Sequence, residues 1–206
     1  VVNARIRTSK TDPVRSQVSE DGKPAWTQVE PLCVLERGDA GEAYTLVAVV
    51  IRTGRTHQIR VHLQELARDL GLPVQGIVGD YKYLPLDQVK TDKWLCARVF
   101  LHEQKLHFPP PGGTDPMVCV HCPLPAELQR ALRKLEKDEA TTAKFKQRAQ
   151  QDGVLPTEFS EAEIFGRGSE GGGSGGGTGS HPPLRKPLGN RIGSSMLAAG
   201  RRGRKT

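Results

Sequence analysis

The chain has 206 residues, of which only 36% are hydrophobic, and its 23 glycines and 15 prolines favour one folded domain with additional unstructured segments. No run of about 18 apolar residues occurs, so the sequence predicts no transmembrane helix. The net charge is +7, and residues 166–206 account for all of it, because they hold eight Lys or Arg residues and a single acidic one. The net charge therefore does not indicate that residues 1–165 bind nucleic acid. Only a local cluster of charged residues could indicate it.

The first half of the chain predicts an antiparallel sheet. Residues 1–7 and 25–35 alternate between apolar and polar side chains, which is typical of strands. Residues 43–51 are the strongest strand prediction, since they are β-branched and almost all apolar. The polar, glycine-containing loop over residues 36–41 suits a hairpin connection.

A helix is predicted over residues 56–69, where apolar residues recur at helical spacing and Gly71 follows as a stop. With Thr56 as its N-cap, Arg60 would lie one turn inside the helix, on the face of Thr56. The remaining elements follow in chain order. Strands are predicted over 73–79, 98–108 and 117–122, an amphipathic helix over 125–138 and a polar helix over 141–151.

These elements predict an α+β fold, with a mixed, mostly antiparallel β-sheet, flanking helices and a disordered C-terminal tail. The expected domain boundaries are a main unit over residues 1–138, a polar helical extension over 139–165 and a Gly-rich basic tail over 166–206. The Gly/Ser/Thr tract at 171–180 is typical of a flexible linker. The basic end is either a solvated, disordered segment or a nonspecific RNA contact or targeting signal.

Four cysteines at irregular spacing favour a reducing compartment over a secreted disulfide framework. Cys119 and Cys122 form one CxxC pair with His121 between them. A tetrahedral zinc site needs two more ligands, so this pair is a weak metal signal. We predict instead a buried strand that runs into Pro123, and no bound metal.

Five side chains with actual or potential positive charge lie within eleven residues, at the predicted junction between strand and helix. They are Arg52, Arg55, His57, Arg60 and His62. Free amides at a helix start attract phosphates, and arginine binds a phosphate or carboxylate at two points. A charged surface turn with solvated arginines is the alternative, and residue types alone do not decide between them.

The order of the residues is more specific. Residues 53–62, TGRTHQIRVH, resemble the TGR-x-HQIR-x-H signature of RNA pseudouridine synthases of the RluA type. The flanking segments resemble further motifs of that family in the same order. They are GKPA with Thr27 at 22–27, GIVGD with Tyr83 at 76–83, RVFLH at 98–102 with LHF at 106–108, and PLP at 123–125 with Leu128. The resemblance extends over residues 4–135.

The resemblance implies an isomerase that detaches a uridine base in rRNA or tRNA and rejoins it through carbon, with the target nucleotide flipped out of its stack. It implies an aspartate nucleophile held by an arginine of the HQIR element, which corresponds to Arg60. It implies RNA contacts at Arg52, Arg55, His57 and Gln58. Tyr83, Leu101 and His102 are expected to line the active site. No cofactor, no membrane and no DNA are expected, and a monomer is expected for the intact enzyme.

Two family motifs are missing from the sequence: HRLD-x-x-TSG, which contains the aspartate, and the K-x-Y-x-A strand with its tyrosine. We therefore expect the chain to be the C-terminal part of the catalytic domain, inactive alone and poorly folded because a divided sheet has an open edge. The alternatives are a noncatalytic RNA-binding or ribosome-associated module and a truncated product without stable function. Leu84 and Glu103 replace the family's usual Gly and Ala.

Overall fold

The computed structural model describes residues 1–9, 15–38, 42–72, 76–111, 117–151, 164 and 193–202. These residues confirm the α+β class, with twelve elements in chain order. They are β1 (Ile6–Thr8), β2 (Ser16–Val18), β3 (Thr27–Arg37), β4 (Glu42–Ile51), α1 (Gln58–Asp69), α2 (Leu86–Asp92), β5 (Leu101–Phe108), β6 (Val118–His121), α3 (Ala126–Leu132), β7 (Glu136–Asp138), α4 (Glu139–Gln151) and β8 (Gly193–Arg202).

The main sheet has six strands in the order β6-β5-β8-β4-β3-β7, and every neighbouring pair is antiparallel. The predicted hairpin of β3 and β4 runs from the pair Thr27–Ile51 to the pair Arg37–Glu42. Its register shifts between Pro31 and Cys33. Proline has no N–H for the ladder, so a bulge beside Pro31 is its expected accommodation within a strand. The hairpin ends where the loop toward α1 begins.

Strand β8 is the main departure from the sequence-based expectation. It lies within the segment 166–206, for which composition predicts disorder, yet residues 193–202 pair with β4 on one side and with β5 on the other. Local glycine content disfavours a strand, but two neighbouring strands with unpaired backbone groups favour one more strongly. The other residues of the predicted tail lie outside the described residues.

Helix boundaries differ from prediction at several places. The helix predicted over 125–138 ends at Leu132, and residues Glu136–Asp138 form β7 against β3. The predicted strand at 73–79 is reduced, in its described part 76–79, to one bridged residue, Ile77, followed by a turn, and α2 was not predicted. The side chain of Asp138 accepts a hydrogen bond from the Thr141 amide and caps the start of α4. Hydrogen bonding from the Thr141 side chain, and then from this amide, lowers the pKa of Asp138.

The hydrophobic core lies between the main sheet and helices α1 and α3. Its fully buried side chains come from the strands, the helices and the connecting segments. The largest of them are Tyr44, Phe100, Leu35, Leu46, Ile77, Leu128 and Ile164. Within the part of the chain that the structure describes, no helix has the length and apolar character needed to cross a bilayer.

His62 ties α1 to the N-terminal residues from a fully buried position. Its Nε2 lies 2.9 Å from the carbonyl oxygen of Ala4, so Nε2 donates, and its Nδ1 lies 2.8 Å from Oγ1 of Thr27. Gln58 Nε2 donates to the same Oγ1, which leaves the Thr27 hydroxyl proton for Nδ1. This arrangement suits a neutral imidazole, and burial lowers the pKa of His62.

We expect the stability of the fold to fall as the pH drops below about 6.5. The unfolded chain protonates His62 there, whereas the folded chain does not, so the unfolded state binds more protons and gains free energy. The slope from this residue is at most about 1.4 kcal/mol per pH unit. Urea unfolding between pH 5 and pH 8 measures it. The variant His62→Gln should be less stable and should lose this slope, while His107→Gln, near the end of β5, should keep it.

Candidate functional site

The segment between β4 and α1 is held in place by Gln58, the first residue of α1. Its amide is buried and uses its oxygen and both N–H groups. Oε1 accepts from Thr53 Oγ1 and from the Arg55 amide at 2.8 and 3.0 Å. Nε2 donates to the Trp26 carbonyl and to Thr27 Oγ1 at 2.9 and 3.0 Å. Gln58 therefore fixes the shape of the loop through bonds within the chain, and its contact with RNA stays a prediction.

The N-cap of helix α1 lies one residue later than expected. His57 and not Thr56 is its N-cap, and His57 has the left-handed backbone with φ 55°. A residue with a Cβ rarely adopts this conformation, and where it does the surrounding structure must impose it. The imposing contact is Tyr83, whose hydroxyl lies 2.8 Å from His57 Nδ1 and whose ring meets the imidazole edge to face. Sequence patterns gave no sign of this strain.

The Tyr83 hydroxyl also bonds the backbone of β2. The Ser16 amide donates to it at 2.8 Å, and the hydroxyl lies 3.3 Å from the Ser16 carbonyl. His57 is thereby connected through Tyr83 to the small two-stranded sheet. Burial is the first cause, and the positive charge of Arg60 the second, of a lowered pKa for His57. His57 is accordingly neutral at pH 7.

Arg60 and Asp80 form a buried, two-point ion pair. Nε of Arg60 donates to one carboxylate oxygen at 2.7 Å, and Nη2 donates to the other. The side chain of Asp80 is 1% exposed and that of Arg60 is 13% exposed. The guanidinium also lies over the Tyr83 ring, 4.9 Å from its centre. Arg60 thus has a carboxylate partner inside the chain, and Asp80 does not use the two N–H groups of Nη1 or the second N–H of Nη2.

The turn that presents Asp80 depends on Gly79. This glycine has φ +72°, and a Cβ on it would lie 2.4 Å from the carbonyl oxygen of Arg98. Its amide donates to the buried carboxylate of Asp92, at the end of α2. Burial raises the pKa of Asp92. Backbone geometry therefore requires glycine at residue 79. The turn directs the carboxylate of the next residue, Asp80, toward Arg60 of α1.

The structure brings three expected site residues together, His57, Arg60 and Tyr83, and adds Asp80, to which the sequence assigned no role. We call these four residues the arginine cluster. Leu101 and His102 lie on β5, and their hydrogen bonds lead elsewhere: Arg98 donates to the Leu101 carbonyl, and the His102 ring bonds the Cys122 carbonyl. Among the described contacts, none joins these two residues to the arginine cluster.

Arg52 and Arg55 belong to a second group, on the outer side of the loop. The guanidinium of Arg52 lies 4.3 Å from the centre of the Trp26 ring. Nε of Arg55 donates to the Pro24 carbonyl at 3.1 Å. Neither arginine forms an ion pair with a carboxylate among the described residues, whereas Arg60 does. These two positive charges are available to an anionic ligand.

The CxxC segment forms a strand as predicted, but the strand is not buried. All four residues of β6 are exposed, because β6 is the outer strand of the main sheet. Cys119 and Cys122 are exposed free thiols. No group of three or more His, Cys, Asp or Glu side chains in the described ranges is arranged to hold a metal ion.

Comparison with known proteins identifies the class to which this fold and this site belong. The family described as RNA pseudouridylate synthase matches residues 2–65, which include β3, β4 and the start of α1. An RNA pseudouridine synthase of Chloroflexus aurantiacus is 38% identical over 137 residues, covering 66% of this chain and 37% of that protein. Ribosomal large subunit pseudouridine synthase D of Xanthomonas campestris is 32% identical over 154 residues, covering 71% of this chain and 42% of its own length.

Ribosomal large subunit pseudouridine synthase C of Vibrio cholerae is likewise 32% identical, over 66% of this chain and 39% of its own length. Residues 2–65 match this family, and over about two thirds of its length the chain is similar to RNA pseudouridine synthases, including the ribosomal large subunit enzymes C and D. It spans about two fifths of the length of the curated relatives it matches.

Proposed function

We propose that this chain supplies the C-terminal part, residues 1–138, of a catalytic domain that isomerises uridine to pseudouridine in rRNA or tRNA. The observation that carries the proposal is the arginine cluster at the start of α1. A buried guanidinium with two donors fixed by Asp80 keeps Nη1 for a further acceptor, while Tyr83 and a neutral His57 border it. A rigid cation of this kind suits the orientation of an ionised nucleophile.

None of the aspartates among the 206 residues lies in an HRLD context, so the proposal places the nucleophile outside them. In this proposal Arg60 holds that aspartate ionised and aimed, and Asp80 holds Arg60. Arg52 and Arg55 contact the RNA backbone, and His57 shapes the cleft beside the flipped base.

Tyr83 has a positioning role in this proposal. Its hydroxyl bonds His57 and Ser16, so it positions His57 and Arg60. Leu101 and His102 stay candidates for lining the site.

A second function is favoured by one observation. Because Arg60 already has a carboxylate partner within the chain, the cluster is electrostatically complete without a nucleophile. This suits a noncatalytic RNA-binding or ribosome-associated module built on the same fold.

We expect the 206-residue chain alone to form no pseudouridine in uridine-containing RNA. We expect the intact protein that contains it to form pseudouridine, and chemical mapping of that base measures both. Modification by the chain alone would show that another residue replaces the aspartate. If the intact protein binds RNA and modifies none, the catalytic proposal fails and the noncatalytic module is supported.

A further inference from the structure

Trp26 and Arg52 form an exposed stack that the motif comparison does not explain. Trp26 occupies the variable position of the GKPA-x-T segment. Its ring is only partly buried, and the exposed guanidinium of Arg52 covers one face at 4.3 Å. No ion pair or side-chain hydrogen bond holds Arg52 among the described residues, so the indole ring alone orients its guanidinium. A planar cation held by an aromatic ring leaves its outer face open.

A second pair, Arg37 and Trp94, has the same distance between guanidinium and ring centre, but further structural contacts hold it. Arg37 lies 4.3 Å from the centre of the Trp94 ring, but Lys134 also approaches that ring at 5.9 Å. Arg37 is paired with Glu42 at 3.9 Å, and the Nε1 of Trp94 is buried. Trp94 also packs against the hydrophobic core. Among the described residues, the stack of Trp26 and Arg52 has no second cation over the ring, no ion pair and no place in the hydrophobic core.

The exposed stack is rigidly connected to the start of α1. The Trp26 amide donates to Thr53 Oγ1 at 3.0 Å, and the Trp26 carbonyl accepts from Gln58 Nε2 at 2.9 Å. Gln58 is the neighbour of His57, so these bonds hold the backbone of Trp26 at a defined position relative to the arginine cluster. Arg55, which donates to the Pro24 carbonyl two residues before Trp26, adds a second cation that has no ion pair among the described residues.

We propose that Trp26 and Arg52 form a platform on which one unpaired nucleobase of the RNA stacks, next to the modification site. Arginine guanidinium planes and aromatic rings stack splayed bases, and a base within a duplex offers no open face. The platform therefore selects a single-stranded neighbour of the target uridine, while Arg55 contacts the adjoining phosphate. This proposal rests on the proposed RNA-modifying function.

The test uses the intact protein and two fluorescent RNA strands of equal length, an oligouridine and its abasic counterpart, in an anisotropy titration. We expect Trp26→Ala to weaken binding of oligouridine by roughly 5- to 100-fold and to leave the abasic strand nearly unchanged. Trp26→Phe should retain most of the affinity. Arg52→Lys, a surface change that keeps the charge, should reduce the preference for oligouridine over the abasic strand. Trp94→Phe is the matched control and should not alter that preference.

Equal losses on both strands would overturn the platform, because they would reflect charge or folding and not stacking. No loss in either variant, with Arg55→Ala still weakening both strands, would overturn it while leaving the RNA-binding function intact. Absence of RNA binding by the unaltered protein would instead refute the proposed function itself. Preference for a duplex of the same length would likewise contradict the platform.

Discussion

Replacing Arg60 by methionine is expected to destabilise the fold by about 3–5 kcal/mol. The change leaves the carboxylate of Asp80 with 1% exposure and without its guanidinium partner. A buried charge that loses its partner bears the full cost of removal from water. Asp80→Asn should cost a similar amount for the reciprocal reason. Urea unfolding of each single variant and of the double variant measures the coupling between the two residues.

The double variant, Arg60→Met with Asp80→Asn, should be more stable than the sum of the single effects implies, because no buried charge remains unpaired. The matched control is the pair of Arg98 and Glu127, joined at 2.9 Å but exposed to 43% and 51%. Arg98→Ala should change stability by about 1 kcal/mol at most. Additive effects in the Arg60 and Asp80 cycle would mean that the two side chains do not interact in solution.

The same residue has a catalytic expectation. In the intact protein, Arg60→Lys keeps a positive charge opposite Asp80 but loses the planar, two-point geometry. Turnover should fall by about 100-fold or more, since misplaced catalytic groups lose that order of rate, while RNA affinity changes little. An unchanged turnover would remove Arg60 from the active site.

Periodicity and motif order predicted the elements that build the site, and long-range contacts determined what lies within it. The apolar run at 43–51 and the helical spacing after Thr56 gave β4 and α1 nearly correctly, because both depend on local patterns. The partner of Arg60 was missed, since Asp80 lies twenty residues away and only the fold brings it near. The internal hydrogen bonds of the Gln58 amide were also not predicted, because its residue type suits an RNA contact as well as it suits a buried amide.

Deleting residues 193–202 is expected to abolish cooperative unfolding of the chain. Strand β8 pairs nine residues with β4 and six with β5, in the middle of the six-stranded sheet. Each ladder hydrogen bond contributes about 1 kcal/mol net, and a domain is stable by only about 5–15 kcal/mol. Loss of both ladders therefore removes an amount comparable to the whole stability. It also exposes two strand edges that promote aggregation.

Strand β8 also modifies the expectation of poor folding, which assumed an open edge in the divided sheet. Strand β8 lies between β4 and β5, so neither of these strands has an open edge on that side. Folding should therefore depend on β8. Thermal unfolding followed by far-UV circular dichroism, with light scattering for aggregation, compares the variants.

The point variant Ala198→Pro should act like the deletion. Residue 198 pairs with both Val47 and Leu101, and proline has no N–H for the ladder. Deletion of residues 203–206 removes charge but spares the strand, and it should leave the transition intact. An equally cooperative transition without residues 193–202 would show that β4 and β5 do not depend on β8.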